Sequence, residues 1–234
     1  MRVLFIEHDH ISPPGPVGER FADHGYEVEE LLVVPGERFH DPNVDMEFPS
    51  PTDYDAIVPM GAPWSAYAHE HIGAWVKPEL DLLRAAHAAA VPVLGICFGG
   101  QLLAAAHGGE VAPSPHPELG WSVVHSDDEE LVPSGIWFQW HSDRWTVPPQ
   151  GTEIARNAAA SQAFVLGRNL ALQFHPELTV DMLVGWFAEG GRAQVTSRGL
   201  DADVMLAHTA ALEPQARQRA HALVDSFLAR VAVA

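Results

Sequence analysis

Short apolar runs alternate with stretches of helical spacing through the first hundred residues. Residues 3–6 are continuously apolar and give way to a loop over 8–18 rich in proline and glycine, the pattern of a buried parallel strand that opens an α/β domain. Residues 17–25 carry helical spacing, 27–34 read as a second strand, and 55–60 as a third, stopped by Gly61-Ala62-Pro63. Residues 75–90 are periodic and alanine-rich, with Pro78 as the weak point, and 91–96 form a fourth strand. This alternation predicts an α/β fold with a mainly parallel central sheet flanked by helices. In such sheets ligands sit outside the carboxyl ends of the strands. His8-Asp9-His10, Gly61-Ala62-Pro63 and Cys97 all fall at those ends.

From 108 to 176 the texture changes to short strand-like segments (120–125, 136–141, 153–157, 163–166 and 170–174) separated by Pro, Gly and Asp. Gly167-Arg168-Asn169 fits a hairpin turn between the last two, so antiparallel additions to the parallel core are expected. Helical spacing returns over 180–189, and Gly190-Gly191 ends it. The remainder reads as helix, with Pro214 in a first helical turn. Ala216, Ala220, Leu223, Phe227 and Val231 then form one apolar stripe. The expected division is a domain over 1–190 and a C-terminal helical extension over 191–234 packed on it.

Charge narrows the function classes. The chain has 31 acidic and 13 basic residues among 234, a formal charge of −18. Nucleic acid and anionic membrane surfaces, which require clustered Lys and Arg, are not expected as partners. No window approaches the roughly 20 apolar residues of a membrane span, and no secretory leader is evident, so a cytoplasmic protein is expected. The single cysteine rules out an internal disulfide or a Cys-rich zinc site.

That cysteine has informative surroundings. An apolar strand runs into Gly95, then Ile96, Cys97, Phe98, Gly99-Gly100, Gln101 and an Ala/Leu helix. This is the layout of a nucleophile elbow, a sharp strand-to-helix turn that lifts one side chain out of the core. The glycines allow close backbone approach, the helix N-terminus favours the thiolate, and the Phe98 amide points towards a developing oxyanion. A thiol nucleophile needs a base and the base an orienter. His175, at the end of a strand-like run and two residues before Glu177, is the best placed of 14 histidines. The alternatives are a buried structural cysteine and a plain His-Pro-Glu turn.

Together these residues resemble the class I (triad) glutamine amidotransferase family. Gly95-Ile96-Cys97-Phe98-Gly99-Gly100-Gln101 matches its nucleophile motif, G-[hydrophobic]-C-x-G-x-Q, and Gln173-Phe174-His175-Pro176-Glu177 its H-P-E motif. The resemblance covers roughly residues 1–189. It implies a flavodoxin-like layered fold and a triad of Cys97 as nucleophile, His175 as general base then acid, and Glu177 as orienting carboxylate. It further implies backbone oxyanion donors from Gly61, Ala62 and Phe98, where Ala62 departs from the family's glycine. Substrate contacts are implied from Gln101 and from the segment Trp140-His141-Ser142-Asp143, with Trp140, Ser142 and Asp143 at the substrate and Ser142 replacing the usual glycine.

The implied reaction is hydrolysis of the glutamine side-chain amide through a γ-glutamyl thioester on Cys97, with ammonia supplied to a separate synthetase or acceptor. The alternatives are a γ-glutamyl hydrolase or peptidase acting on a γ-glutamyl conjugate, and a non-catalytic regulatory or binding module. No cofactor is expected. His8-x-His10 and His69-x-His71 have metal-ligand spacing but no evident third ligand, so no metal is expected. Trp64, Trp121, Trp137, Trp140 and Trp145 are read as core residues before site-edge residues.

Overall fold

The computed structural model describes residues 1–233; Ala234, the last position of the expected extension, lies outside the described residues. Side chains of β1 (Arg2–Glu7) alternate between two apolar clusters. Val3 and Phe5 join one with Phe21, Leu94 and Phe227, while Leu4 and Ile6 join the other with Trp75, Phe98 and Leu102. Burial on both faces is what a continuous apolar run requires.

The further strands are β2 (Glu27–Leu32), β3 (Ala56–Pro59), β4 (Val93–Ile96), β5 (Val111–Ser126), β6 (Gly135–Trp145), β7 (Thr152–Arg156), β8 (Ser161–Leu166) and β9 (Asn169–Leu172). All belong to a nine-stranded sheet in the order β2-β1-β3-β4-β9-β8-β7-β5-β6. The pairs from β2 to β9 are parallel and those from β9 to β6 antiparallel. Helices α1 (Gly15–Asp23), α2 (His69–Ala88), α3 (Phe98–Ala106), α4 (Val180–Trp186), α5 (Arg192–Ser197) and α6 (Ala202–Ser226) flank it. The α/β class, the parallel core and the antiparallel additions hold as expected. No helix among the described residues is long and apolar enough to cross a membrane.

Three boundaries differ from the pattern, each for a physical reason. Helix α2 begins at His69 rather than near 75, because Ala68 at its N-cap offers no side-chain cap to mark the start. It also runs through Pro78, a cost of about 3 kcal/mol. Burial of Ile72, Trp75, Val76 and Leu83 offsets that cost, at about 1.5–3 kcal/mol for each large apolar side chain. Strand β5 starts at Val111, although Pro113, Pro115 and Pro117 argue against a strand. Its pairing with β6 shifts register between Pro113 and Glu118, where the prolines are accommodated.

Pro214 lies inside α6, not in a first turn. The start is Asp201, whose carboxylate accepts from the amides of Asp203 and Val204. The expected stripe from Ala216 to Val231 is buried, with Phe227 and Val231 in a wider turn after α6. Phe227 meets Phe21 on α1, and Arg20 donates to both carboxylate oxygens of Asp225, near the end of α6, at 2.7 and 2.9 Å.

Candidate active site

Neighbouring parallel strands carry the site. Ile96 of β4 pairs with Leu172 of β9, and the Cys97 amide donates to the Leu172 carbonyl at 2.7 Å. The chain turns sharply at Cys97, which adopts φ 50° and ψ −103° and immediately precedes α3. Few residues other than glycine adopt positive φ, and the strain is of the kind held by surrounding structure at functional sites. Close approach holds it here. A Cβ on Gly95 would meet Gly99 O at 2.8 Å, and one on Gly100 would meet Leu172 O at 2.8 Å.

Beyond β9 the chain leaves its ladder, and the His175 amide bonds instead to the Phe138 carbonyl at 2.9 Å. This puts the imidazole above the sheet edge. Its Nδ1 donates to Glu177 Oε1 at 2.7 Å, and both side chains are buried. Among the described residues its Nε2 has no hydrogen-bond partner. Burial alone would lower the His175 pKa, but the charges of Glu177 and Cys97 outweigh burial and hold it well above the ordinary value. Trp186 packs edge-on against the ring at 5.1 Å.

Gly61 follows β3 and lies beside both groups, since a Cβ there would stand 3.1 Å from His175 Cε1 and 4.0 Å from Cys97 Cβ. Gly61, Ala62, Trp140 and His175 share a cavity of about 100 Å³ with Asp9, Ser12, Phe39, Trp186 and Glu189. Phe98, at the first position of α3, is buried, and its amide has no acceptor one helical turn back.

The remaining candidates separate into those at the thiol and those away from it. The Cys97 thiol faces the Trp140 carbonyl at 3.9 Å, and Trp140 Nε1 donates to Gln194 at 3.0 Å. Gln101 is buried behind the thiol, donating to the Asp143 carbonyl at 3.4 Å and to Gln173 Oε1 at 3.5 Å. The Asp143 carboxylate accepts from Tyr67 Oη at 3.0 Å. The Ser142 side chain is exposed and accepts from Arg198 at 3.1 Å, away from the thiol. Of the five tryptophans, Trp140 lines the cavity, whereas Trp137 stacks on Phe174 and Trp145 packs against Phe164.

Four contributors carry no role from sequence. Gln173 donates to Cys97 Sγ at 3.7 Å; its motif displays it without pointing to the thiol. Asp9 lies in the loop after the first strand, which marks it only by position. Trp186 and Glu189 come from the α4 region and a break at Glu189 (φ −87°, ψ 28°) and Gly190 (φ 97°), and nothing local signals that this stretch folds over the His175 side of the cavity. Among the described residues no group of three or more His, Cys, Asp or Glu side chains is arranged for a metal.

Known proteins share both the sequence pattern and the fold. The family profile "Glutamine amidotransferase class-I" matches residues 20–182. One glutamine-hydrolysing GMP synthase subunit, from Sulfurisphaera tokodaii, is 37% identical over 137 residues, 54% of this chain and 69% of its own length. The glutamine-hydrolysing GMP synthase of Thermomicrobium roseum is 31% identical over 175 residues, covering 67% of this chain but 31% of its own length. A glutamine amidotransferase-like protein of Salmonella typhimurium, YfeJ, is 28% identical over 79% of each chain. Among solved structures, a glutamine amidotransferase from Thermotoga maritima superposes with a TM-score of 0.83 at 24% identity, covering 97% of this chain and 98% of its own.

Proposed function

Because this chain belongs to the class-I glutamine amidotransferase family, we propose that it hydrolyses the side-chain amide of glutamine through a γ-glutamyl thioester on Cys97. The observation that carries the reading is the strained elbow at Cys97, set beside a buried His175 whose Nδ1 is held by Glu177. The thiolate attacks the amide carbon, and the oxygen takes up the negative charge between the amides of Ala62 and Phe98. His175 Nε2 gives its proton to the departing nitrogen, ammonia leaves and the thioester remains. Water then loses a proton to His175 and attacks the thioester, releasing glutamate and restoring the thiolate. The ammonia passes to a separate synthetase or acceptor. Two relatives named as glutamine-hydrolysing GMP synthases support that reading by analogy of family.

A second reading is favoured by the cavity. It opens on His175, the group that protonates the leaving nitrogen, and is walled by Trp140, Trp186 and Phe39 with carboxylates at Asp9 and Glu189 and no Lys or Arg. Such a chamber suits a leaving amine larger than ammonia, above all one that carries positive charge. Ammonia release from glutamine should therefore be measured against amine release from γ-glutamyl conjugates of neutral and cationic amines. Turnover of conjugates without turnover of glutamine replaces the first reading by the second. No turnover of either, together with no labelling of Cys97 by 6-diazo-5-oxo-norleucine, removes both.

The Glu177 carboxylate favours the imidazolium, so Glu177→Gln, which keeps an oxygen for Nδ1–H, lowers the His175 pKa. The alkaline limb of kcat/KM, where the proton for the leaving nitrogen is lost, then moves to lower pH. The maximal rate falls on the order of 10²-fold or more. An alkaline limb that stays in place in this variant counts against His175 as the acid.

A further inference from the structure

His8 follows β1, and Glu79 lies on α2; both are fully buried. The imidazole Nε2 is 3.0 Å from each carboxylate oxygen of Glu79, and Nδ1 is 3.1 Å from the Gly61 carbonyl oxygen. A carbonyl only accepts, so Nδ1 donates to Gly61, and Nε2 shares a proton with the Glu79 carboxyl group, an arrangement that favours the imidazolium. Burial alone would lower its pKa; Glu79, the Gly61 carbonyl and Asp9 raise it further than burial lowers it. The ring stacks on Trp75 at 5.5 Å and meets Phe98 edge-on at 4.8 Å, so it has no room to swing.

A buried ion pair contributes little net stability, because desolvation cancels much of the attraction. The position of this one suggests another use. The Gly61 carbonyl and the Ala62 N–H belong to one trans peptide, in which the two point in opposite directions. A carbonyl drawn towards His8 therefore aims the Ala62 N–H away from it, on the side where Gly61 and Ala62 line the cavity with His175. The same ring touches the side chain of Phe98, whose amide is the other candidate donor.

We propose that His8 and Glu79 are a positioning pair for the oxyanion hole: His8 holds the Gly61–Ala62 peptide and braces Phe98, and Glu79 holds His8. The proposal rests on the reading of Cys97 as nucleophile. It also accounts for Ala62 in place of glycine, since a peptide oriented through its carbonyl does not need glycine's freedom. His8, open to a metal reading from its spacing to His10, has both nitrogens engaged within the chain.

The test uses the paired substitution His8→Phe with Glu79→Met, which removes both charges at similar volume. In glutamine hydrolysis kcat is expected to fall about 10- to 100-fold, less than the roughly 10²- to 10³-fold lost when an oxyanion donor is removed outright. KM should stay within about twofold and the rate of Cys97 alkylation by iodoacetamide should not change, since the thiol is untouched. Amide NMR should show the Ala62 and Phe98 resonances shifted and broadened. A folded double variant with wild-type kcat, or with both amide resonances in place, overturns the proposal. Should that variant fail to fold, Glu79→Gln carries the same comparison, with a smaller fall in kcat and the same two resonances affected. Absence of turnover of glutamine and of γ-glutamyl conjugates in the unmodified protein, with no labelling of Cys97, would count against the Cys97 reading, while the amide resonances would still decide the role of the pair.

Discussion

Replacing Cys97 by glycine is expected to abolish glutamine hydrolysis while giving a more stable protein than the alanine variant. Both substitutions remove the sulfur, so both should lose on the order of 10⁴-fold or more in kcat/KM, as when a covalent nucleophile is deleted. They differ in what they leave at φ 50°, ψ −103°. Alanine keeps a Cβ in a region that costs about 1–3 kcal/mol, and glycine relieves it. Glycine also gains about 0.4–1 kcal/mol of freedom in the unfolded chain, which reduces the difference. The net expectation is that Cys97→Gly exceeds Cys97→Ala by about 1 kcal/mol in chemical denaturation. Equal stability of the two, or an advantage for alanine, would show that the elbow is not strained. Retained turnover in either would remove Cys97 from the reaction.

Gly99→Ala should be the most damaging single methyl in the chain's centre. The new Cβ would stand 2.0 Å from the Pro59 carbonyl oxygen and 2.5 Å from its carbon, and both are backbone atoms that cannot rotate away. The Gly99 amide is bonded to the Met60 carbonyl at 2.9 Å, so the first turn of α3 is clamped against the end of β3. Relief requires helix and strand to part, at about 3 kcal/mol or more by the measure of overpacked interiors. For a chain of this size that lowers Tm by roughly 10 °C. Activity should fall with it, since the same movement displaces Cys97 and Phe98. Gly73→Ala in α2 is the control: its Cβ would find nothing nearer than His69 Cβ at 3.5 Å, and helix propensity favours alanine by about 1 kcal/mol. Similar thermal shifts for the two variants would contradict the clamp.

The parts of this fold legible in the sequence are those made by local pattern. Residues 3–6, 55–60 and 91–96 read as buried strands because both faces of each are covered, and Gly95, Gly99 and Gly100 mark the elbow because only glycine tolerates backbone at that distance. What stays hidden depends on partners far apart in the chain. Glu79 looks like an ordinary polar position on a helix until β1 brings His8 to it. Pro113, Pro115 and Pro117 argue correctly against a regular strand, but not against one whose register slips. Pro214 resembles a helix start because proline is tolerated there, and the true cap at Asp201 precedes a segment with no strong amphipathic pattern. Trp186 and Glu189 reach the cavity through a backbone break whose direction only packing decides.

The contact between α1 and the turn after α6 bears on how the protein is made. Phe21 and Val17 belong to the cluster that Leu223, Phe227 and Val231 complete, and Asp225 takes the Arg20 guanidinium. Those partners are synthesised roughly 200 residues later, on the order of 10–40 s at ordinary ribosomal speed. Until then the α1 face of the parallel half lacks that part of its cover, even though β1 to β4 and the elbow have already emerged. The nascent chain thus carries an apolar face on α1 that waits for partners emerging roughly 200 residues behind it, and their arrival is what closes it.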